Sequence, residues 1–329
     1  MRFDIVTLGS ATIDHFADTD SELVQIETSH SIERLIAYPL GSKILVRELH
    51  TTIGGGGTNT AVAFARLGFN TAYLGKVGDD SHGDEILAAL EQEQVSFVGA
   101  RGGQSGLSVI LDSIHDDRTI LAFKGCNDNL SPQEAKLPDC DWLYCGAMLG
   151  QSLDTVKALI PQVQAQVAFN PSTYLAKLGA EALAPILAHT QALILNREEA
   201  CLLLGLDPNE QLDESGLPDR LRQLGPAIVV VTDGANGLWA GDGSQCLHAR
   251  PSDQLHIVET TGAGDAFGSG FVAGLARGLS LEQSLRMGML NAESVMAFKG
   301  AKNYLLRGPD MAKRLDKDNR VIEPCGEEA

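Results

Sequence analysis

Short runs of apolar residues alternate with segments of mixed polarity along most of the chain. The apolar runs have the length of buried strands, whereas the mixed segments repeat their apolar residues at helical spacing, as in residues 152–160 and 181–188. Strands that alternate with helices predict an α/β fold with a mostly parallel sheet covered on both faces. The predicted strands are residues 5–8, 71–74, 142–145, 167–170, 192–195 and 228–232.

Two segments interrupt this alternation. Residues 11–53 contain short extended pieces with little helical periodicity, and residues 95–123 have the pattern of a meander, with strands at 108–112 and 119–123 around a polar turn at 115–117. We expect the two insertions to pair as a small β-sheet that forms a lid over the active site. Surface decoration is the alternative. The charged tail after Arg307 is expected to be peripheral.

The composition agrees with a globular enzyme. The chain has 329 residues, 44% of them hydrophobic, which is ample for a sizeable core, and we predict that residues 1–329 form a single domain. The formal net charge of −18 at pH 7 disfavours a nucleic-acid partner, which needs a basic face. Any anionic ligand must therefore be held by local groups against the field of the whole molecule.

The six cysteines show no Cys-x-x-Cys spacing, and several lie in apolar runs. We predict buried free thiols in a reducing compartment and no zinc site. The N-terminus leads directly into a strand, and the sequence contains no signal peptide and no apolar run of membrane-spanning length. A cytoplasmic enzyme without a membrane partner is the natural expectation.

Residues 260–268, Thr-Thr-Gly-Ala-Gly-Asp-Ala-Phe-Gly, are the most informative stretch. They place Gly262, Ala263 and Gly264 directly before Asp265, where a helix-like run over residues 266–277 begins. Glycines let backbone N–H groups approach a ligand closely, and a helix N-terminus adds positive potential. The turn therefore predicts an anion-binding site.

A carboxylate inside an anion site is unfavourable unless it has a chemical task. Asp265 could take a proton from a hydroxyl while the N–H groups hold the charge that develops on a transferring phosphoryl group. The alternative is an ordinary loop in which Asp265 caps the helix. A dinucleotide site of the Gly-x-Gly-x-x-Gly type does not fit, because its third position is Phe267.

Four glycines at residues 54–57 precede a second helix-like segment, which begins with Thr58 and Asn59. A polar ligand could approach Gly55 and Gly56 closely with Asn59 beside it; a flexible hinge is the alternative. Asp14 follows the first strand, where its carboxylate could accept hydrogen bonds from two substrate hydroxyls or could belong to a simple turn.

Polar residues also follow two later strands. Asn196 and Glu199 have the spacing that places an amide and a carboxylate on one side of a first helical turn, where they could hold Mg²⁺ through water. A capping box, with Asn196 as N-cap, is the alternative and is compatible with metal support. Thr232 and Gly234 could contact phosphate or ribose, or form an ordinary turn.

These motifs, in this order, resemble the PfkB/ribokinase family of carbohydrate kinases. The resemblance runs from about Asp4 to Leu306, and its signature regions are residues 54–68 with the following 77–83, and residues 259–268. It implies an ATP-dependent kinase with a Rossmann-like, three-layer α/β/α body and a β-sheet lid. Relatives often pair through their lids, so a homodimer is compatible with the sequence.

The resemblance also implies roles for individual residues. Asp265 would be the base, and Gly262, Ala263 and Gly264 would form the anion hole. Asp14, Gly55, Gly56 and Asn59 would hold the substrate, Asn196, Thr232 and Gly234 the nucleotide, and Glu199 a magnesium ion through water; Asn291 is the nearest candidate for an adenine contact. A monovalent-cation (K⁺) site would use Glu259, Thr261, Val295, Phe298 and Gly300, with Glu259 in place of the commoner Asp.

The acceptor is predicted to be a sugar or sugar-like molecule with a primary hydroxyl. Residues 146–151 lack the acid that ribokinase-like members often carry there, which argues against D-ribose, and Arg118 and Lys124 do not form the basic cluster expected for a sugar phosphate. A nucleoside kinase is the alternative, with Phe16, Tyr38 and Phe97 as candidates to cover the base. A non-catalytic nucleotide- or sugar-binding protein and a nicotinamide-dependent oxidoreductase are alternatives of other classes.

Overall fold

A computed structural model describes residues 2–19, 22–27, 32–112, 118–252, 255, 257–298, 300 and 302–325. Helices and strands alternate through most of this range. The helices are α1 (Gly56–Arg66), α2 (Ser81–Gln92), α3 (Gly150–Leu159), α4 (Ser172–Ala176), α5 (Gly179–Leu187), α6 (Arg197–Leu204), α7 (Leu217–Arg222), α8 (Ala263–Ala276), α9 (Leu281–Met296) and α10 (Gly308–Lys317).

The strands fall into one large sheet and several small ones. They are β1 (Phe3–Leu8), β2 (Thr12–Thr19), β3 (Glu22–Glu27), β4 (Ile32–Ala37), β5 (Val46–Gly54), β6 (Thr71–Leu74), β7 (Lys76–Val77), β8 (Ser96–Phe97), β9 (Ala100–Arg101), β10 (Gly106–Asp112), β11 (Arg118–Phe123), β12 (Cys140–Cys145), β13 (Gln166–Phe169), β14 (Ala192–Asn196), β15 (Ile228–Thr232), β16 (Leu238–Gly241), β17 (Cys246–Ala249) and β18 (Ile322–Pro324).

The large sheet has ten strands in the order β18-β17-β16-β15-β14-β13-β12-β1-β6-β8. The strands from β15 through β8 in this order are parallel, whereas β16, β17 and β18 extend the sheet in an antiparallel manner. All six predicted strands lie in the parallel part, so the prediction of a mostly parallel sheet is confirmed.

Apolar cores lie on both faces of this sheet. In β12, Leu143 and Cys145 pack into one core with α3, α5 and α6, while Trp142 and Tyr144 pack into the other with α8 and α9. Successive side chains of a strand point to opposite faces, so a strand covered on both sides is apolar throughout. The continuous apolar runs in the sequence arise from this arrangement.

The C-terminal tail is part of the body of the protein. The expectation that the tail after Arg307 is peripheral is therefore wrong. Helix α10 buries Met311 in the core shared with α9, and β18 pairs with β17 at the edge of the large sheet. The charged residues of the tail hide this role in the sequence, because only one side of the amphipathic α10 contacts the body.

The two insertions meet in a small sheet with the order β11-β10-β2-β5. Strand β10 runs parallel to β2, and β5 and β11 flank them in antiparallel pairing. The pairing expected from the sequence is thus observed. The second insertion contributes less than predicted, because β8 joins the large sheet and β9 pairs with β7. The turn predicted at 115–117 lies outside the described residues.

The cysteines depart from the prediction at one pair. Cys246 and Cys325 form a disulfide across β17 and the end of β18, with their Cα atoms 5.2 Å apart. The prediction of free thiols is wrong for these two, because 79 residues separate them and only the pairing of the tail brings them together. The remaining cysteines, Cys126, Cys140, Cys145 and Cys201, are buried free thiols as predicted. Among the described residues, no helix has the length and hydrophobicity needed to cross a membrane.

Candidate active site

A cavity of about 240 Å³ opens at the carboxyl edge of the large sheet. Its wall includes Ser10, Gly146 and Asn170, which follow the parallel strands β1, β12 and β13. Gly56 of α1 and Asp265 of α8 also line the cavity. Ligands bind to α/β sheets at this edge, so the cavity is the natural site.

The turn before α8 has the geometry of an anion site. Gly262 is the N-cap residue and adopts φ 77°, a left-handed conformation that favours glycine. The Ala263 N–H donates to the Thr260 carbonyl (3.2 Å), whereas the N–H groups of Gly264 and Asp265 belong to the first helical turn, which lacks intrahelical acceptors. The predicted anion hole therefore rests mainly on these last two N–H groups.

Asp265 does not cap its own helix. It lies in the first turn of α8, and its Oδ2 accepts a hydrogen bond from Asn59 Nδ2 (2.8 Å). Burial raises the pKa of the Asp265 carboxyl, while the Asn59 hydrogen bond and the Lys302 charge lower it and the Asp14 charge raises it further. A carboxyl with a raised pKa is better suited to accept a proton than an exposed aspartate.

The glycine-rich segment brings the substrate-side candidates to Asp265. Gly55 is the N-cap residue of α1, and a Cβ atom on Gly56 would lie 3.3 Å from Asp265 Oδ1. A Cβ atom on Gly54 would lie only 1.7 Å from Asp14 Oδ2, so no side chain fits there. The Asp14 carboxylate is further held by Thr12 Oγ1, which donates to Oδ1 (2.7 Å).

Asn59 has one unused polar atom in this cluster. Its Nδ2 donates to Asp265, but its Oδ1 is buried and makes no hydrogen bond within the protein. Buried polar atoms normally have a partner, and exceptions often mark ligand sites. Asn59 Oδ1 is therefore available to accept a hydrogen bond from a substrate hydroxyl.

Lys302 is a member of the site that no sequence motif revealed. Its Nζ donates to Thr58 Oγ1 (2.9 Å), next to Asn59. Burial lowers the pKa of the Lys302 ammonium to about 7, against the opposing effect of the Asp14 and Asp265 carboxylates. The residue lies in the loop after α9, in a stretch without periodicity, so only the folded chain places it beside these acids.

The nucleotide-side candidates lie at the ends of β14 and β15. Asn196 pairs in register with Thr232, and Gly234 forms an exposed 3₁₀ turn just beyond it. Asn196 and Glu199 form a capping box: Asn196 Oδ1 accepts from the Glu199 N–H (2.8 Å), and Glu199 Oε2 accepts from the Asn196 N–H (3.0 Å). The alternative interpretation of this pair as a helix cap is therefore confirmed.

Besides capping α6, the Glu199 carboxylate has properties that suit contact with a bound cation. It is buried, its Oε1 accepts a long hydrogen bond from Thr173 Oγ1 (3.4 Å), and burial raises the pKa of its carboxyl. A single carboxylate suits Mg²⁺, which keeps most of its waters. Within the described ranges, no group of three or more His, Cys, Asp or Glu side chains forms a direct metal site.

The candidates for a monovalent-cation site come from two neighbouring segments. Glu259 Oε2 accepts a hydrogen bond from the Gly300 N–H (2.8 Å), and the Glu259 N–H donates to Met296 O (3.1 Å). Thr261 lies two residues beyond Glu259. Val295 is buried near the end of α9, whereas the half-exposed Phe298 ring stacks on Tyr304.

Asn291 does not belong to the nucleotide site. It is fully buried in α9, where its Nδ2 donates to Ala266 O (2.8 Å) and its Oδ1 accepts from the Leu306 N–H (3.0 Å). Both ends of the amide are therefore used to join α8, α9 and the following loop. The proposed adenine contact was wrong, and Asn291 has a structural role instead.

Comparisons with known proteins agree with this geometry. The sequence profile of the pfkB family carbohydrate kinases matches residues 3–305. The chain belongs to this family. The kinase is 31% identical over 258 residues to an uncharacterized sugar kinase of Archaeoglobus fulgidus, a match that covers 76% of this chain and 100% of that protein. It is 30% identical to a ribokinase of Bacillus subtilis over 75% of this chain and 82% of that protein.

A solved structure supports the fold of the kinase. The crystal structure of a ribokinase from Thermotoga maritima superposes with a TM-score of 0.80 at 20% identity, covering 96% of this chain and 100% of the other. The predicted ribokinase-like α/β body with a small additional sheet is confirmed. The prediction of a carbohydrate kinase of the PfkB/ribokinase family is confirmed as well.

Proposed function

We propose that the protein is an ATP-dependent kinase that transfers the γ-phosphoryl group to a hydroxyl of a sugar or sugar-like molecule. One observation carries this proposal. The Asp265 carboxylate lies beside N–H groups of the α8 N-terminus and is held in place by Asn59. A base and an anion site in contact are what phosphoryl transfer to a hydroxyl requires.

In the proposed reaction, Asp265 takes the proton of the acceptor hydroxyl as its oxygen attacks the γ-phosphorus. The bond between that phosphorus and the β–γ bridging oxygen breaks, and ADP leaves. The Gly264 and Asp265 N–H groups stabilise the negative charge on the equatorial oxygens, with Gly262 and Ala263 shaping the turn. Asn59 orients the carboxylate throughout.

The acceptor would be held on the side of the small sheet. Two groups there can accept hydrogen bonds from sugar hydroxyls: the Asp14 carboxylate, which packs against Gly54, and Asn59 Oδ1. Gly55 and Gly56 would allow the sugar to approach the backbone closely. The cavity of about 240 Å³ lies below the roughly 300–1,000 Å³ of pockets for larger ligands, which favours a sugar over a nucleoside.

The nucleoside alternative depends on aromatic cover for a base. Phe97 packs on Tyr73 in the body, with ring centroids 6.0 Å apart, and Tyr38 bonds to Thr19 Oγ1 (2.8 Å) near the far end of β2. Phe16 lies two residues after Asp14 in β2, so both side chains point to the same face of the small sheet. Phe16 alone remains in position to cover a base.

ATP would lie over the ends of β14 and β15, with Asn196, Thr232 and Gly234 near its phosphates and ribose. Glu199 would hold Mg²⁺ through water, and the ion would neutralise phosphate charge during transfer. The segments that contain Glu259, Thr261, Val295, Phe298 and Gly300 are the proposed position for K⁺. The small sheet would act as a lid that excludes water.

The substitution Asp265→Asn tests the proposal. The amide has nearly the same shape and can still accept from Asn59, but it cannot take a proton. We expect kcat to fall by at least about 10²-fold, with little change in ATP affinity or thermal stability. A kcat near that of the wild type would refute the assignment. Failure of the wild type to release ADP with any acceptor would instead favour the non-catalytic binding protein.

We also propose that the kinase forms a homodimer through its small sheet. The edge strands β5 and β11 carry large apolar side chains that are more than half exposed, namely Leu49 (63%), Leu121 (56%) and Phe123 (51%). Exposed apolar residues on unpaired edge strands are typical of association surfaces. A second copy of the chain, presenting the same strands, is the partner that this surface suits.

A further inference from the structure

One basic residue lines the cavity that contains Asp265. Lys124 follows β11 at the start of the 3₁₀ turn formed by Gly125–Asp128, and it is the only Lys or Arg in the cavity wall among the described residues. Its Nζ lies 5.1 Å from the ring centroid of Tyr174, another wall residue. Within the described ranges, no carboxylate forms an ion pair with Lys124.

Ser172 provides a second, independent observation in the same wall. It adopts φ 58°, a left-handed conformation that is unfavourable for a residue with a side chain, and its hydroxyl is buried without a hydrogen-bond partner. Strained backbone and unsatisfied polar atoms persist mainly where function needs them. The hydroxyl is a ready donor for a ligand in the cavity.

The charges around the cavity indicate what kind of ligand the Lys124 ammonium could bind. Asp265 and Asp128 are the carboxylates of the wall, and the net charge of the chain is −18. Burial raises the pKa of Asp128, while the Lys124 charge lowers it. An anionic group could enter this acidic surrounding only beside a local cation. A neutral sugar has no need of one.

We propose that the acceptor of this kinase carries a carboxylate, bound by Lys124 Nζ and the Ser172 hydroxyl, so that the substrate is a sugar acid. The inference rests on the proposed function and names its substrate class. A carboxylate fits one cation and one hydroxyl. A phosphate carries nearly two charges and is usually held by several cations or by arginine, which the described wall lacks.

The first experiment compares acceptors with purified wild-type protein, ATP and Mg²⁺. ADP release is measured with five- and six-carbon aldonic and keto-aldonic acids, with neutral sugars of the same carbon skeletons, and with their sugar phosphates. We expect kcat/KM for an acid to exceed that for its matched neutral sugar by about tenfold or more, the effect of a charge-assisted hydrogen bond. Turnover confined to neutral sugars, or to sugar phosphates, would overturn the inference and leave the kinase proposal standing.

The second experiment uses Lys124→Met, with the exposed Lys136→Met as the matched control. We expect Lys124→Met to raise KM for the acid about tenfold or more and to leave KM for ATP and kcat/KM for neutral sugars unchanged. Equal loss of kcat with every acceptor would instead assign Lys124 to the transferring phosphoryl group and refute the inference.

Binding without turnover separates the inference from the proposed function. Titration calorimetry of the same five- and six-carbon aldonic and keto-aldonic acids is performed with wild type, Lys124→Met and Ser172→Ala. Binding that depends on both side chains supports the carboxylate site even if no acceptor releases ADP. Equal binding by wild type and both variants would contradict it, whatever the activity.

Discussion

The proton affinity of one carboxyl decides how the proposed kinase works. Burial and the Asp14 charge raise the pKa of Asp265, whereas Asn59 and Lys302 lower it. Burial lowers the pKa of the Lys302 ammonium, and the same two carboxylates, Asp14 and Asp265, raise it. Because each charge depends on the others, loss of the Lys302 cation would raise the pKa of Asp265 further.

Substitution of Lys302 by Met is expected to move the acid limb of the pH profile of kcat. Removal of the positive charge raises the pKa of Asp265, so a higher pH is needed to deprotonate the base, and the limb shifts upward. At a pH near the new limb, kcat falls, whereas well above it kcat recovers. The measurement is kcat against pH at saturating substrate.

The exposed Lys313→Met is the control for loss of a lysine, since Lys313 lies on α10 with its side chain 75% exposed. Its profile should match that of the wild type. If Lys302→Met lowered kcat equally at every pH, or left the acid limb in place, Lys302 would not control the protonation of Asp265.

The sequence predicted some residues of this site and missed others for a physical reason. Asp265 and Asn59 stand in glycine-bearing turns at helix starts, where the local chain already defines an anion or ligand site. Lys302 and Ser172 act through their positions in space, and no local pattern distinguishes them from ordinary loop residues. The prediction for Asn291 was wrong because the sequence does not show that this polar side chain is fully buried, and burial decides its role.

At the scale of the elements, the junction of β2, β5 and α1 fixes the acceptor side. Thr12 pairs with Gly54, and the Asp14 carboxylate occupies the space where a side chain at residue 54 would lie. The end of the small sheet and the start of the helix that carries Asn59 are therefore joined at one glycine. Any atom added there must displace Asp14 or the strand.

We accordingly expect Gly54→Ala to raise KM for the acceptor by about tenfold or more, while KM for ATP changes little, because the methyl group would overlap the Asp14 carboxylate. Steady-state kinetics with each substrate varied in turn measures the split. Gly216→Ala is the control, since its Cβ would meet nothing closer than 3.9 Å and its φ is ordinary. An unchanged acceptor KM in Gly54→Ala would show that Asp14 does not bind the acceptor.

The sequence predicted strands best where burial on both faces determines their hydrophobic pattern. The parallel strands β1, β6, β12, β13, β14 and β15 are buried on both faces, and the sequence predicted them from their apolar runs. The two-residue parallel strand β8 was missed. The antiparallel edge formed by β16, β17 and β18 was missed, because these strands are only three or four residues long and contain polar or small residues that interrupt an apolar run. The disulfide depends on that edge and was missed with it.

For the whole molecule, register shows which face of the small sheet carries the exposed apolar side chains of its edge strands. Asp14 lies opposite Ser108, which lies opposite Ala122, so these side chains share the acceptor-side face. Leu121 and Phe123 alternate with Ala122 and point to the other face. Leu49 of β5, opposite Ala17 of β2, lies on that face as well.

This face predicts a dimer that a charge on β11 will disrupt. Light scattering coupled to gel filtration should give twice the chain mass of 35.0 kDa for the wild type. The double substitution of Leu121 and Phe123 by Asp should give the monomer mass, because burying two carboxylates in an apolar contact is costly. Ile120→Asp, on the opposite face of the same strand, should remain dimeric. A monomeric wild type, or a dimer that survives the double substitution, would show that the kinase does not associate through this surface.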